Sequence, residues 1–345
     1  MKKYIFYISQ NYSFAILRPI QKLLIERGDT VYWFFEGNQV SPRYLKMNEK
    51  KLESISQIRG VNPDVVIATA NSIPTFIPGL KVAVFHGFDA GKVNRKGEND
   101  HFKIRGCFDL YCTQGPNTTE TFLKNQRKLG YFNVIETGWP ALDPLFNKPA
   151  AKVSIKPTIL FCSTFSKRLS CAMPLFNEVA KISRKGNWNW LVQFHPKMDT
   201  DVVRQYKELQ HAHLQFIETD DIIPLLKQAD VMLCDTSSVI SMFIVQKKPV
   251  VTFRNISPGP HLIDIIDSNV LEQALEKALQ RPEELMLNIE QHISQLHPYH
   301  DGNSSQRVIQ AIDEVLEGRH PLTKKKPRNF LRNLKFRKRL GYWWP

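Results

Sequence analysis

Short runs of apolar and β-branched residues alternate along this chain with longer stretches in which apolar positions recur three and four apart. A strand buried on both faces reads as such a run, and an amphipathic helix as such a stretch, so the alternation predicts parallel βα units. Strands are expected over residues 3–8, 31–35, 64–68, 82–85, 109–112 and 132–135, with a helix opening at Ser13, running to about Glu26 and closed by Gly28. A polar, proline-containing segment, residues 147–157, interrupts the pattern as a linker would. The alternation then restarts, with strands expected over residues 158–162, 190–194, 214–217, 231–234 and 250–253 and helices over 271–295 and 304–316. The fold class this implies is α/β, two Rossmann-like doubly wound domains of similar size, over 1–147 and 158–320, with the site in a cleft at the carboxyl ends of their strands.

Length agrees: 345 residues are about twice an ordinary domain of roughly 100–200. With 42% hydrophobic and 23% charged residues the composition is globular, not disordered. No run approaches the roughly 20 apolar residues of a membrane span, and the one at 4–8 is too short for a signal-peptide core, so a cytoplasmic protein is expected. Cys107, Cys112, Cys162, Cys171 and Cys234 are odd in number, form no CxxC pair and fall mostly in strand-like runs, which predicts reduced core thiols. Net charge changes the picture more. Of the +14 total, nine cations fall between Lys324 and Arg339 with no acid among them, leaving +5 elsewhere, so residues 321–345 need an account of their own.

Several polar clusters stand immediately after expected strands, where a doubly wound sheet presents its ligand site. His86-Gly87 follows the fourth strand; a histidine there can take a proton near neutral pH, and the glycine lets backbone approach a ligand. His195-Pro196 holds the matching place in the second half, where an imidazole can bond a phosphate oxygen or stabilise a leaving group. Either histidine can equally be a turn residue bonded to its loop. Asp235-Thr236-Ser237-Ser238 opens a helix expected to run to Gln246, and hydroxyls with free N–H groups at such an end suit a diphosphate, although one of them would serve as a cap alone. Ser163-Thr164, with Lys167 and Arg168 beyond, can meet phosphate or form a solvated basic loop. Gly138-Trp139-Pro140 with Asp143 reads by itself as a turn and a helix start. GxxxxGK[ST], GxGxxG after the first strand, HExxH and an Asp-x-Asp metal triad are all missing, so a metal-independent transfer without a bound cofactor is expected.

The order of these motifs resembles the CDP-glycerol glycerophosphotransferase family of teichoic-acid biosynthesis. It is carried by Phe85-His86-Gly87, Thr137-Gly138-Trp139-Pro140 with Asp143, Phe194-His195-Pro196, the run from Asp220-Asp221-Ile222 through Asp230 and Asp235-Thr236-Ser237-Ser238 to Lys248-Pro249-Val250, and Asp301-Gly302-Asn303-Ser304-Ser305. The resemblance implies a GT-B fold with an acceptor domain over 1–147 and a nucleotide-donor domain over 158–320. It implies transfer of a polyol phosphate from a CDP-activated donor to a hydroxyl of a lipid-linked or glycan acceptor of the cell envelope. His86 would be the general base and His195 a donor-phosphate contact. Asp235, Thr236, Ser237 and Ser238, with Ser163 and Thr164, would hold the diphosphate, and Gly87 and Asp143 would line the acceptor side. The chain departs from the family's motifs at Phe88-Asp89-Ala90, at Ala141-Leu142 and at Ser163-Thr164-Phe165-Ser166, where substrate would be read. A GT-B glycosyltransferase using a nucleotide sugar for surface polysaccharide or lipopolysaccharide is the alternative.

The tail sets Lys324, Lys325, Lys326, Arg328, Arg332, Lys335, Arg337, Lys338 and Arg339 among Phe330, Leu331, Leu334, Phe336, Trp343 and Trp344. Each cation near an anionic leaflet contributes about 1 kcal/mol and tryptophan favours the headgroup region, so peripheral binding at the inner face of the plasma membrane is expected. A non-catalytic polybasic protein that binds membrane or nucleic acid is the reading of another class. Confinement of the cations to one end speaks against nucleic acid.

Overall fold

The computed structural model describes residues 1–89, 97, 99–147, 155–219 and 221–343. Asp220, Trp344 and residues 148–154 of the expected linker lie outside the described residues. The first apolar runs become β1 (Lys3–Ile8), which leads through α1 (Ser13–Glu26) to β2 (Thr30–Phe35), then β3 (Lys50–Leu52), α2 (Ile55–Val61), β4 (Val65–Ala68), β5 (Leu80–Ala83), β6 (Leu110–Thr113), α3 (Pro116–Leu129), β7 (Asn133–Glu136) and α4 (Asp143–Phe146). These seven strands pair, all parallel, in the order β3-β2-β1-β4-β5-β6-β7. β1, β4 and β6 carry an almost unbroken buried pattern, as strands covered on both faces must.

The second set runs β8 (Thr158–Ser163), α5 (Phe176–Arg184), β9 (Asn189–Phe194), α6 (Thr200–Glu208), β10 (Leu214–Phe216), α7 (Ile223–Gln228), β11 (Val231–Cys234), α8 (Val239–Ile244), β12 (Val250–Phe253), β13 (Ile263–Ile265), α9 (Leu271–Gln280) and α10 (Glu283–Leu296). Its sheet, also all parallel, has the order β10-β9-β8-β11-β12-β13. Two parallel sheets flanked by helices make the double Rossmann architecture of the GT-B type. Each sheet has one switch point, beside β1 and β4 in the first and beside β8 and β11 in the second, where successive strands leave in opposite directions. All five cysteines are free and buried.

The expected 271–295 helix is two helices, because Arg281 adopts a left-handed backbone (φ 53°) and Pro282 follows it. The chain then returns. One compact unit comprises Met1–Pro144 with Leu296–Pro345, the other Leu145–Gln295, so the second domain ends earlier than the expected residue 320. α11 (Ser304–Leu316) belongs to the first unit, where buried Asp143 accepts the backbone N–H groups of Ser304 (2.9 Å) and Ser305 (2.8 Å).

The basic tail is likewise part of the first unit. It forms α12 (Phe330–Leu340), which docks on the loop joining β4 to β5, a crossover without a helix of its own. Asn333 bonds Thr75, the Tyr342 ring stacks on Phe76 at 5.8 Å, and Phe336 is 2% exposed. Tyr342 joins the core formed by Ile5, Ile55, Ile58, Val66 and Ile77. Lys326 pairs with Asp109, and Arg339 lies 2.9 Å from the buried Glu36 carboxylate. No helix among the described residues is long and apolar enough to cross a membrane.

Candidate functional site

In the first unit the candidate site lies at the carboxyl end of β5. The strand ends at Ala83, and Phe85 turns into the left-handed region with φ 55°, a conformation costly for a bulky aromatic residue and met chiefly where the surroundings enforce it. Those surroundings are specific. The Trp139 indole N–H donates to the Phe85 carbonyl at 3.2 Å, and the Phe85 ring stacks on His101 (5.2 Å) and meets Phe122 edge-on (5.2 Å). Two residues later the Gln114 amide donates to the Gly87 carbonyl at 2.9 Å.

Between these anchors His86 projects to the surface, its ring 5.9 Å from that of Tyr12. Partial desolvation by its surroundings lowers its pKa, against a hydrogen bond to the Thr69 backbone that raises it. The net effect keeps the imidazole unprotonated at neutral pH, the form a base must have. Space for a Cβ on Gly87 is open, so its backbone is approachable from outside.

The other first-unit expectations fall differently. Asp143 was expected on the acceptor side, yet it is 3% exposed and both its oxygens cap α11. Gly138 has φ 79°, and a Cβ there would sit 2.5 Å from the Ser304 hydroxyl and 2.9 Å from His297 Nε2. Only glycine allows that approach. The next residue uses it: the Trp139 backbone N–H donates to His297 Nε2 at 2.9 Å. An accepting ring nitrogen must be unprotonated, and burial holds the His297 pKa down at about 4.

In the second unit the expected phosphate cluster divides into a buried frame and an outer edge. Asp235, wholly buried, accepts from the Ser163 hydroxyl (2.6 Å) and from the backbone N–H groups of Thr164 (3.0 Å) and Cys171 (3.2 Å). Asp235 follows β11 and Ser163 ends β8, so the carboxylate ties together the two strands of the switch point. Thr236 takes the Ile256 N–H on its hydroxyl at 3.1 Å, and Asn255 donates to the Asp235 carbonyl at 3.1 Å. Asp235, Ser163 and Thr236 therefore direct their polar atoms inward, and Thr164 is nearly buried.

Ser237 and Ser238 remain at the edge. Ser237 is half-buried with its hydroxyl 3.5 Å from the Val239 N–H, and Ser238 is exposed and makes no side-chain cap bond. The helix they open, α8, stops at Ile244, short of the expected Gln246.

His195 follows β9 and is exposed beside this edge of the sheet, its ring 4.5 Å from Phe165. Its Nδ1 accepts the Lys197 N–H at 3.1 Å. A neutral imidazole accepting at Nδ1 carries its proton on Nε2, which makes Nε2 a donor to an anionic oxygen. Lys197 lies 5.9 Å over the Phe165 ring and adds a cation to this edge, whereas the Lys167 charge is balanced by Asp199 at 3.3 Å.

The structure thus brings Ser163, Thr164 and Asp235 into direct contact, and presents His86 in one unit and His195, Ser237 and Ser238 in the other. Sequence reasoning missed Gln114 and His297 and left Trp139 as a turn residue. Their partners are far away in sequence, and the only local signal was that a Gly-Trp-Pro turn is an expensive place for a tryptophan with no partner.

The fold and sites can be set beside known proteins. The family model described as UDP-N-acetylglucosamine 2-epimerase matches residues 132–313, just over half of the chain. The teichoic acid glycerol-phosphate primase of Bacillus subtilis (strain 168) is 22% identical over 239 residues, an alignment that spans 62% of this chain and 60% of the primase. Among solved structures, S. aureus MnaA in complex with UDP superposes with a TM-score of 0.66 at 17% identity, covering 94% of this chain and 99% of that one. The wall teichoic acid polymerase TagF superposes with a TM-score of 0.66 at 14% identity, covering 92% and 90%. The extent of the family match decides membership: the chain belongs to the UDP-N-acetylglucosamine 2-epimerase family.

Proposed function

We propose that the protein is a transferase of cell-envelope glycan synthesis that takes its donor as a nucleoside diphosphate derivative. The observation that carries this reading is the Asp235 frame. A buried carboxylate fixes the ends of β8 and β11 at the switch point, and that edge presents the Ser237 and Ser238 hydroxyls, the His195 imidazole and Lys197, which are groups suited to a diphosphate. His86, unprotonated and reaching solvent at the end of β5, serves as the base that takes the proton of the attacking hydroxyl. His195 Nε2 and the Ser237 and Ser238 hydroxyls bear the charge that gathers on the departing phosphate.

The family match and the UDP-bound neighbour favour a nucleotide sugar as donor. Attack at the sugar carbon then expels the nucleoside diphosphate. A second reading, attack at the β-phosphorus of a CDP-linked polyol with loss of CMP, is supported by the sequence run from Asp220 to Val250 and by the primase and polymerase relatives. In either case the enzyme works at the inner face of the membrane, with the outward side of α12 and its cations on the anionic leaflet and a lipid-linked or glycan acceptor within reach.

Thermal-shift measurement with UDP-sugars, CDP-glycerol and CDP-ribitol tests the donor. Stabilisation by UDP-sugars is the expected result, stabilisation by the CDP compounds alone moves the protein to the second reading, and response to neither overturns both. With donor and acceptor in hand, His86→Ala is expected to lower kcat by about 10²–10⁴-fold while leaving the donor shift in place. Conversion of UDP-N-acetylglucosamine to its C2 epimer without any acceptor would replace the transferase reading with an isomerase.

A further inference from the structure

The turn that carries His86 is held from two sides by side chains that are not neighbours in sequence. Phe85 sits at φ 55°, in a backbone region that an aromatic residue does not hold unaided. Its carbonyl accepts the Trp139 indole N–H at 3.2 Å, and the Gly87 carbonyl accepts the Gln114 amide at 2.9 Å. Both donors are buried, Trp139 at 4% and Gln114 at 0% exposure, so water does not replace them. Trp139 is itself fixed twice, by its backbone bond to His297 and by edge-on contact between its ring and Phe88 at 5.2 Å.

We infer that Trp139 and Gln114 are positioning residues that clamp the carbonyls on either side of His86 and so fix the direction of its imidazole. The inference rests on the reading of His86 as the base, but the clamp itself is a matter of geometry. A base contributes only when its nitrogen lies within hydrogen-bond reach of the proton it takes, and two carbonyl anchors one residue to each side leave the His86 backbone little room to turn. Had the turn needed only bulk to fill the space, an apolar side chain at 114 and a phenylalanine at 139 would serve as well. The amide and the indole N–H are what the two carbonyls use.

The experiment uses the full chain with histidine-selective isotopic labelling. His86 is identified among the ten histidines by the signal absent in His86→Gln, and its titration is followed by NMR in the wild type, in Trp139→Phe and in Gln114→Met. Gln114→Met keeps the bulk and loses the donor, while Trp139→Phe loses the donor together with one ring of the indole. The expected result is a His86 midpoint shifted by about 0.5 pH unit or more towards that of a free imidazole near 6.5, with kcat reduced about 10–100-fold and donor KM within about twofold.

An unmoved His86 midpoint in the folded variants overturns the inference. Because the two variants act on different carbonyls, either suffices if the other fails to fold. A moved midpoint combined with wild-type turnover by His86→Ala overturns the base assignment instead and leaves the clamp standing.

Discussion

Asp235 and Ser238 are three positions apart in one polar run, yet the structure gives them opposite surroundings. Removing the Asp235 carboxylate leaves the buried N–H groups of Thr164 and Cys171 without this acceptor and takes from the Ser163 hydroxyl its shortest bond, leaving it Ser170 at 2.9 Å. Asp235→Ala is therefore expected to cost about 3–5 kcal/mol of stability, read as a lowered denaturant midpoint. Ser238→Ala, at an exposed position with no cap bond, is expected to stay within about 0.5 kcal/mol and to raise donor KM. Equal loss of stability in the two variants would contradict this division. The strand-end positions of His86, His195 and the Asp235 cluster were legible because strand ends show in local pattern. Which hydroxyls point inward was not, since that depends on Asp235 meeting a strand more than seventy residues away.

Elements follow the same rule. The long apolar strands were readable from their runs, whereas β3 (Lys-Lys-Leu) and β13 (Ile-Asp-Ile) are three-residue strands at sheet edges, too short and too polar to stand out. The tail shows more than its composition did. Expected as a basic, aromatic membrane-binding segment, it is also a packed helix: α12 covers a β4–β5 crossover that lacks its own helix, and Arg337 lies 4.6 Å over Phe76 while Arg339 pairs with Glu36. Truncation before Lys326 is expected to destabilise the first unit by several kcal/mol, because it uncovers apolar core and strands a buried carboxylate. A deletion is consequently a poor test of membrane binding.

The informative variant changes only the outward side of α12. Phe330 and Leu331 are 74% and 73% exposed and Leu334 43%, near exposed Lys335 and Lys338. Replacing all three apolar residues by serine should leave the melting temperature nearly unchanged. Cosedimentation with anionic vesicles should fall about tenfold or more, while zwitterionic vesicles bind neither protein well. Undiminished sedimentation of the triple variant would remove α12 from the membrane reading.

At the scale of the molecule, burial depresses three histidines, His101, His261 and His297, each to about 4. A histidine whose folded pKa lies below its unfolded value stabilises the fold above about pH 6.5. That contribution is lost as pH falls towards 4, because the unfolded chain binds the proton first. Melting temperature should therefore decline between pH 6.5 and 4, and His297→Gln, which keeps an acceptor for the Trp139 N–H, should flatten the decline. An unchanged slope in that variant would show that His297 does not titrate with unfolding. Two doubly wound sheets were legible from the alternation of runs, but the return of the chain at residue 296 was not. Periodicity shows that α11 is amphipathic without saying which sheet it will cover, and the deciding contact is Asp143, distant in sequence. That return gives the two units different histories. The second is written into the first as a contiguous insert and is complete in the nascent chain once residue 295 has been made. The first, with all seven strands already synthesised, still waits for α11 to be capped and for α12 to close over its exposed crossover. On the ribosome the inserted unit can fold before its host, which is finished only once α12 has been made.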